Sequence, residues 1–131
     1  MKSTALLEFL GEWQGQSFRF GASDCCQFAR ALVRKISGVD HGSEWVYNTF
    51  DEAQRILDDH GGLEPLISQY LGASVPLEQL TIGDLCLIRG PWEFEMMAAR
   101  SARGAYAPSS QGVVYIAEHR IECGWPIEWT R

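Results

Sequence analysis

The residues best suited to covalent chemistry stand together at Ser23-Asp24-Cys25-Cys26. They follow Phe18-Arg19-Phe20-Gly21-Ala22, a glycine-containing turn, and they open a run with helical apolar spacing. Phe28, Ala29, Leu32, Val33 and Ile36 fall on one face of a helix of period 3.6 when counted from Cys25. Ser23 or Asp24 suits the N-cap. Arg30, Arg34 and Lys35 suit the negative end of the dipole, and Gly38 supplies the stop. A helix is therefore expected over about 24–37. A cysteine in its first turn meets unpaired N–H groups and the positive dipole end, which favour a thiolate. A thiolate is an activated nucleophile. The same stripe carries a second reading. Cysteine is among the most buried residue types, and Cys25 shares its face with Phe28 and Leu32, so the local sequence alone favours a core residue.

Composition narrows the classes. A chain of 131 residues suits a single domain over 1–131, long enough to bury a core without staples. The net charge of -6, with no Lys/Arg cluster, argues against nucleic acid as a partner. No apolar run approaches the ~20 residues of a membrane helix, so no membrane insertion is expected. Glu8 interrupts the apolar residues near the start, which is unlike a secretory signal peptide. A reducing compartment is expected. Cys25 and Cys26 are adjacent, while Cys86 and Cys123 stand alone. No C-x-x-C spacing occurs, so no metal and no cofactor are expected and free thiols are the default. Adjacent cysteines rarely meet disulfide geometry without strain, which weighs against a redox role for Cys25-Cys26.

The elements that must position the cysteine can be read in order. Residues 3–14 read as a helix with Ser3 or Thr4 as cap and Leu6, Leu10 and Trp13 as its stripe. Trp45 and Tyr47, in the loop after Gly38, read as a packed lid on the core. Thr49-Phe50-Asp51-Glu52 is a capping box before a helix to about Asp59. Gly61-Gly62 end it, and a short helix follows over about 64–71 with Pro65 in its first turn. Leu85-Cys86-Leu87-Ile88, bounded by Gly83 and Gly90-Pro91, reads as a buried strand with Cys86 in the core. Asp84 reads as a turn residue and Asp24 as a helix cap. Residues 92–103 carry both strand and helix patterns, and 104–111 read as loop. Residues 112–117 read as a second strand and 119–123 as a third. Helices first and strands second give α+β with a small antiparallel sheet.

The order of aromatic-x-aromatic-Gly, Asp-Cys, helix, and then Gly-Asp-Leu opening a strand resembles the NlpC/P60 family of papain-like cysteine peptidases. Phe18-Arg19-Phe20-Gly21, Asp24-Cys25 and Leu80-Thr81-Ile82-Gly83-Asp84-Leu85 carry the resemblance. Thr49 to Leu71, with Gly61-Gly62-Leu63, looks like a compact branch found in phage and prophage tail modules. The resemblance implies a papain-like fold with Cys25 at the nucleophile position. It also implies a histidine base just before the next sheet strand, acting in amide hydrolysis of cell-wall peptides. The matching stretch is assigned to Ser109-Ser110-Gln111-Gly112-Val113, which has no histidine.

Three histidines remain. His41 follows the far end of the Cys25 helix, ~20 Å from its start. His60 suits a helix C-terminus. His119 is the one candidate base, and it requires the strand to begin at 119 rather than 112. Two functions follow. The first is a phage tail tip or baseplate structural or assembly protein on a degenerate NlpC/P60 fold. It would reside in the virion tail and contact other tail proteins, with Trp45, Tyr47, Trp125 and Trp129 as candidate contact residues. The alternative is an active cysteine hydrolase, a peptidoglycan endopeptidase with Cys25 as nucleophile and His119 as base.

Overall fold

The computed structural model describes residues 1–16, 19, 24–43, 45–89 and 94–130. Four helices precede five strands: α1 (Lys2–Gln14), α2 (Cys25–Ser37), α3 (Phe50–His60), α4 (Leu63–Leu71), β1 (Leu85–Arg89), β2 (Glu95–Arg100), β3 (Gly104–Ser109), β4 (Gly112–Ala117) and β5 (Ile121–Trp125). The strands form one sheet in the order β4-β3-β2-β1-β5, antiparallel throughout. The architecture is α+β. Among the described residues, no helix is long and apolar enough to cross a membrane.

Local chemistry accounts for the helix ends. Asp24 caps α2 through its side chain, which accepts from the Gln27 amide at 2.9 Å, and Gly38 ends the helix in the left-handed region at φ 81. Thr49 caps α3 by accepting from the Glu52 amide, and the Glu52 carboxylate reaches back to Asn48 N–H. The cap expected for α1 differs. Ser3 and Thr4 lie inside the helix, Met1 is the N-cap, and no side chain caps it. Lys2 instead pairs with Asp84, which anchors the helix start to the sheet.

The sheet is covered on both faces. On the helix side Phe9, Trp13 and Phe28 meet edge-on or tilted, with centroids 5.1–5.8 Å apart, above Leu85, Leu87, Met97, Ala99 and Trp125. On the far side Cys86, Ile88, Ala98, Ala105, Ala107 and Ile121 form a second cluster, closed over by Leu80 with Val75 and Leu77 from the connector after α4. Alternate residues of a strand point to opposite faces. With both faces dry, β1 reads as an unbroken apolar run rather than an alternating one.

Two strands depart from the sequence expectation. Residues 104–111, expected to be loop, hold β3, and the ambiguous 92–103 hold β2. Glu95-Met96-Met97-Ala98-Ala99-Arg100 is made largely of helix formers, but its place between β1 and β3 decides its conformation. Gly104 and Pro108 read as loop residues for reasons that the sheet turns to use. A Cβ on Gly104 would sit 2.3 Å from the Ile116 carbonyl, so glycine permits the close strand pairing. The ladder from β2 to β3 contains only Ala99↔Tyr106 and Arg100↔Ala105, so the missing N–H of Pro108 breaks no bond.

The aromatic residues expected as contacts are core instead. Trp45, Tyr47 and Trp125 are buried, and Trp129 is half-buried. For Trp45 and Tyr47 this is the packed lid. Trp45 lies edge-on to Tyr70 at 5.3 Å, and the Trp125 indole N–H donates to the Gly72 carbonyl and the Ser68 hydroxyl. Large rings bury more area than any other side chains, so a chain of this size draws them inward.

Candidate functional site

Asp24, Cys25 and Cys26 open α2 directly above β2. The Asp24 carboxylate is buried at 3% exposure. Besides capping Gln27 it accepts the Tyr47 hydroxyl at 2.6 Å. Gln27 is buried as well, and its side-chain amide donates to the Trp45 carbonyl at 2.8 Å. The 45–47 loop is thereby tied to the first turn of α2 by two polar bonds. Arg30, one turn further on, grips Asp40 with two bonds at 2.7 and 2.8 Å and holds that carboxyl down at about 2.

Sheet register explains what stands under Cys25. Pro108 has no N–H, so its pair with Val113 is not hydrogen-bonded, and the alternation of an antiparallel ladder then turns the polar groups of Tyr106 and Pro108 toward β2. Opposite them on β2 are the backbone groups of Ala99 and Met97. Ala99 pairs with Tyr106, but the ladder stops before the level of Met97 and Pro108. The Met97 amide is left without a strand partner at this point, and it is directed at the Cys25 sulfur. The Cys26 thiol donates to the same sulfur. That bond is the largest influence holding the Cys25 thiol below its ordinary range, against the opposing effect of burial. Cys26 is pushed far up, because its proton is engaged with Cys25 and burial disfavours a second anion. Tyr47 is also pushed up, first by burial, so it remains a neutral donor.

This arrangement supplies a nucleophile. Peptide hydrolysis also needs a group that protonates the leaving nitrogen and then activates water. Met97, whose amide meets the thiol, carries a buried side chain that does not ionise and cannot do this. His119, the candidate base, lies elsewhere. Ala99, Tyr106 and Tyr115 are level across the sheet, so Met97 is level with Val113. From Val113 to Ala117 the chain runs ~13 Å toward the opposite end of the sheet at ~3.3 Å per residue. His119 comes after that, exposed, in the 3-10 turn Glu118–Arg120. The structure does not bring His119 to Cys25. His60 closes α3 with its ring Nδ1 2.8 Å from the Ile56 carbonyl. His41 follows α2 and lines a small void with Arg30, Val33, Trp45 and Leu71.

The expected strand assignment is also corrected. The strand that follows Gly83-Asp84-Leu85 in the chain and lies beside it in the sheet is β2, not 112–117. The residues at its start are Glu95, Met96 and Met97. Sequence reasoning missed Met97 because its surroundings in sequence favour a helix. It missed the role of Tyr47 because nothing local links residue 47 to Asp24.

The remaining expected site residues are placed as follows. Asp24 is the helix cap and Cys86 is core. Asp84 does more than turn its own loop. It is 1% exposed, accepts from the Thr81 and Ile127 amides at 2.7 and 2.9 Å, and pairs with Lys2. It therefore joins both ends of the chain to the start of β1. Gly83, at φ +94, supplies the left-handed backbone there. Gly21 and the rest of the aromatic-Gly approach, apart from Arg19, lie outside the described residues. A groove of about 580 Å³ runs between α1 and α2, walled by Trp13, Gln27, Arg30, Arg34 and Lys35, and Cys25 does not line it. Among the described residues no group of three or more His, Cys, Asp or Glu side chains could hold a metal.

Comparison with known proteins adds the family. A search of the curated proteins finds no match. The family described as Domain of unknown function (DUF6950) matches residues 2–127, which takes in every helix and strand of the fold. The chain belongs to the DUF6950 family.

Proposed function

We propose that the chain is a degenerate NlpC/P60-type, papain-like domain that serves as a structural or assembly protein of a phage tail tip or baseplate. The observation that carries this reading is the partner of Cys25. In the family that the sequence resembles, a histidine at the start of the strand after Gly-Asp-Leu faces the nucleophile. Here that strand is β2, and the residue whose backbone amide meets the Cys25 sulfur is Met97. The arrangement around it supports the reading: a cysteine in the first turn of an amphipathic helix, packed on the central strands of an antiparallel sheet. A methionine at that strand position has no means of protonating an amine leaving group. The domain then acts through its surfaces, and its partners are other tail proteins.

A working cysteine hydrolase acting on peptidoglycan is the second reading, and the lowered Cys25 thiol favours it. It requires a base that His119 is not placed to provide. The tail assignment is tested by cross-linking mass spectrometry on purified phage particles from a bacterium that carries this gene. Cross-links from this chain to tail tip or baseplate proteins are expected. Particles that lack the chain overturn the assignment.

A further inference from the structure

We infer that Cys25 is a site of thiol–disulfide exchange, where a small disulfide leaves one of its two halves bonded to the Cys25 sulfur. The inference rests on the reading above that Cys25 has no base beside it. Amide hydrolysis stalls there because an amine must be protonated to leave. A disulfide makes no such demand. The Cys25 thiolate attacks one sulfur of R–S–S–R, the new Sγ–S bond forms as the old S–S bond breaks, and the electron pair departs with the second half as R–S⁻. No proton moves, and the disulfide is itself the oxidant. What the site must supply is a thiolate and an approach for a small molecule.

The cluster at the start of α2 supplies both. Three donors converge on the Cys25 sulfur: the Cys26 thiol, the Met97 N–H and its own backbone N–H. The positive end of α2 adds to them. Against them stand burial and the Asp24 carboxylate, whose oxygen is engaged by the Gln27 amide and the Tyr47 hydroxyl. Cys25 is half-buried, so part of the residue is open to a small molecule. Cys123 is half-buried too, but it lies on β5, where burial pushes its thiol up, and Cys86 is fully buried. Comparable burial in unlike surroundings makes Cys123 the internal control. Cys26 cannot displace the bound half. Its thiol is held protonated, and adjacent Cα atoms lie ~3.8 Å apart, below the ~4.4 Å that a disulfide usually needs. The mixed disulfide therefore persists until an external thiol removes it.

The test is incubation of the full chain with hydroxyethyl disulfide near neutral pH, with adducts located by peptide mass spectrometry. One half should add per chain, at Cys25 ahead of Cys123, and dithiothreitol should release it. Cys26→Ala should move the pH midpoint of the exchange upward, and Cys26→Ser, which keeps a hydroxyl donor, should move it less. Addition at Cys123 first, a Cys25–Cys26 disulfide in place of the mixed one, or no adduct at Cys25 overturns the inference. So does a midpoint that Cys26→Ala leaves in place. Peptidoglycan cleavage that depends on Cys25 would instead overturn the reading beneath it, and the adduct map is obtained independently of that assay.

Discussion

Asp24 tests whether the residue before the cysteine builds the site or performs chemistry. Its carboxylate accepts from the Gln27 amide and from the Tyr47 hydroxyl, both in buried surroundings. Asp24→Ala removes the N-cap, at about 1 kcal/mol. It also strands a buried hydroxyl that had been bonded to a charged group, at about 1.5–3 kcal/mol. The expected loss is about 3 kcal/mol, or about 10 °C in Tm for a chain of this length. Domains are typically stable by about 5–15 kcal/mol, so the variant should still fold. Tyr47→Phe alone should cost about 1.5–2 kcal/mol, and the double variant should cost less than the sum. A coupling of at least about 1 kcal/mol is therefore expected. Asp24→Asn keeps an acceptor at the cap and should lose only about 1 kcal/mol. Urea unfolding of the wild type and these four variants gives the values. A loss below about 0.5 kcal/mol for Asp24→Ala with no coupling to Tyr47 would refute the reasoning.

Further outcomes follow from other parts of the structure. Gly112→Ala places a Cβ 2.1 Å from the Gln14 carbonyl at φ +98 and should cost about 2–4 kcal/mol in denaturant titration, whereas Gly72→Ala, at φ 85 and ψ -176 in open space, should cost about 1–3 kcal/mol from backbone strain alone. Iodoacetamide mapped by mass spectrometry should label Cys25 ahead of Cys86, whose thiol burial pushes up to about 12. Cys26→Ala removes the bond that lowers the Cys25 thiol, so the pH midpoint of Cys25 labelling should move upward. Asp40→Asn should cost under about 1 kcal/mol at neutral pH, because its Arg30 pair is partly exposed. The Asp40 carboxyl sits lower in the folded state than when unfolded, so its contribution is complete above pH ~4 and disappears as pH falls toward about 2. Acid unfolding of the two proteins should converge there.

The helices were legible because their signals are local. Asp24, Thr49, Gly38 and Gly61 sit within a turn of the groups they satisfy, and the apolar stripe of α2 repeats at 3.6. Strands β1 and β4 are apolar runs between turn residues and were equally plain. β2 and β3 were not, because their conformation is imposed by neighbours distant in sequence. Ala98 and Ala99 are strand residues only because Cys86 and Leu85 pair with them, and Pro108 is tolerated only because β2 has already diverged. The site suffered from the same gap. Cys25 could be located from its helix, but the residue opposite it belongs to β2. The sequence places the stretch before the next strand at Ser109-Ser110-Gln111, whereas the strand that follows and borders β1 begins at Glu95. Tyr47 and Asp84 act through bonds spanning 23 and 43 residues, which no local spacing encodes.

The central claim is that Cys25 stands on an inherited scaffold without a base. Digestion of purified peptidoglycan, read by mass spectrometry beside Cys25→Ala, tests it most directly. The expected result is the same muropeptide profile for both proteins and for a buffer control, with Cys25 of the wild type still labelled by iodoacetamide. New stem-peptide cleavage products from the wild type that vanish in Cys25→Ala would contradict the claim.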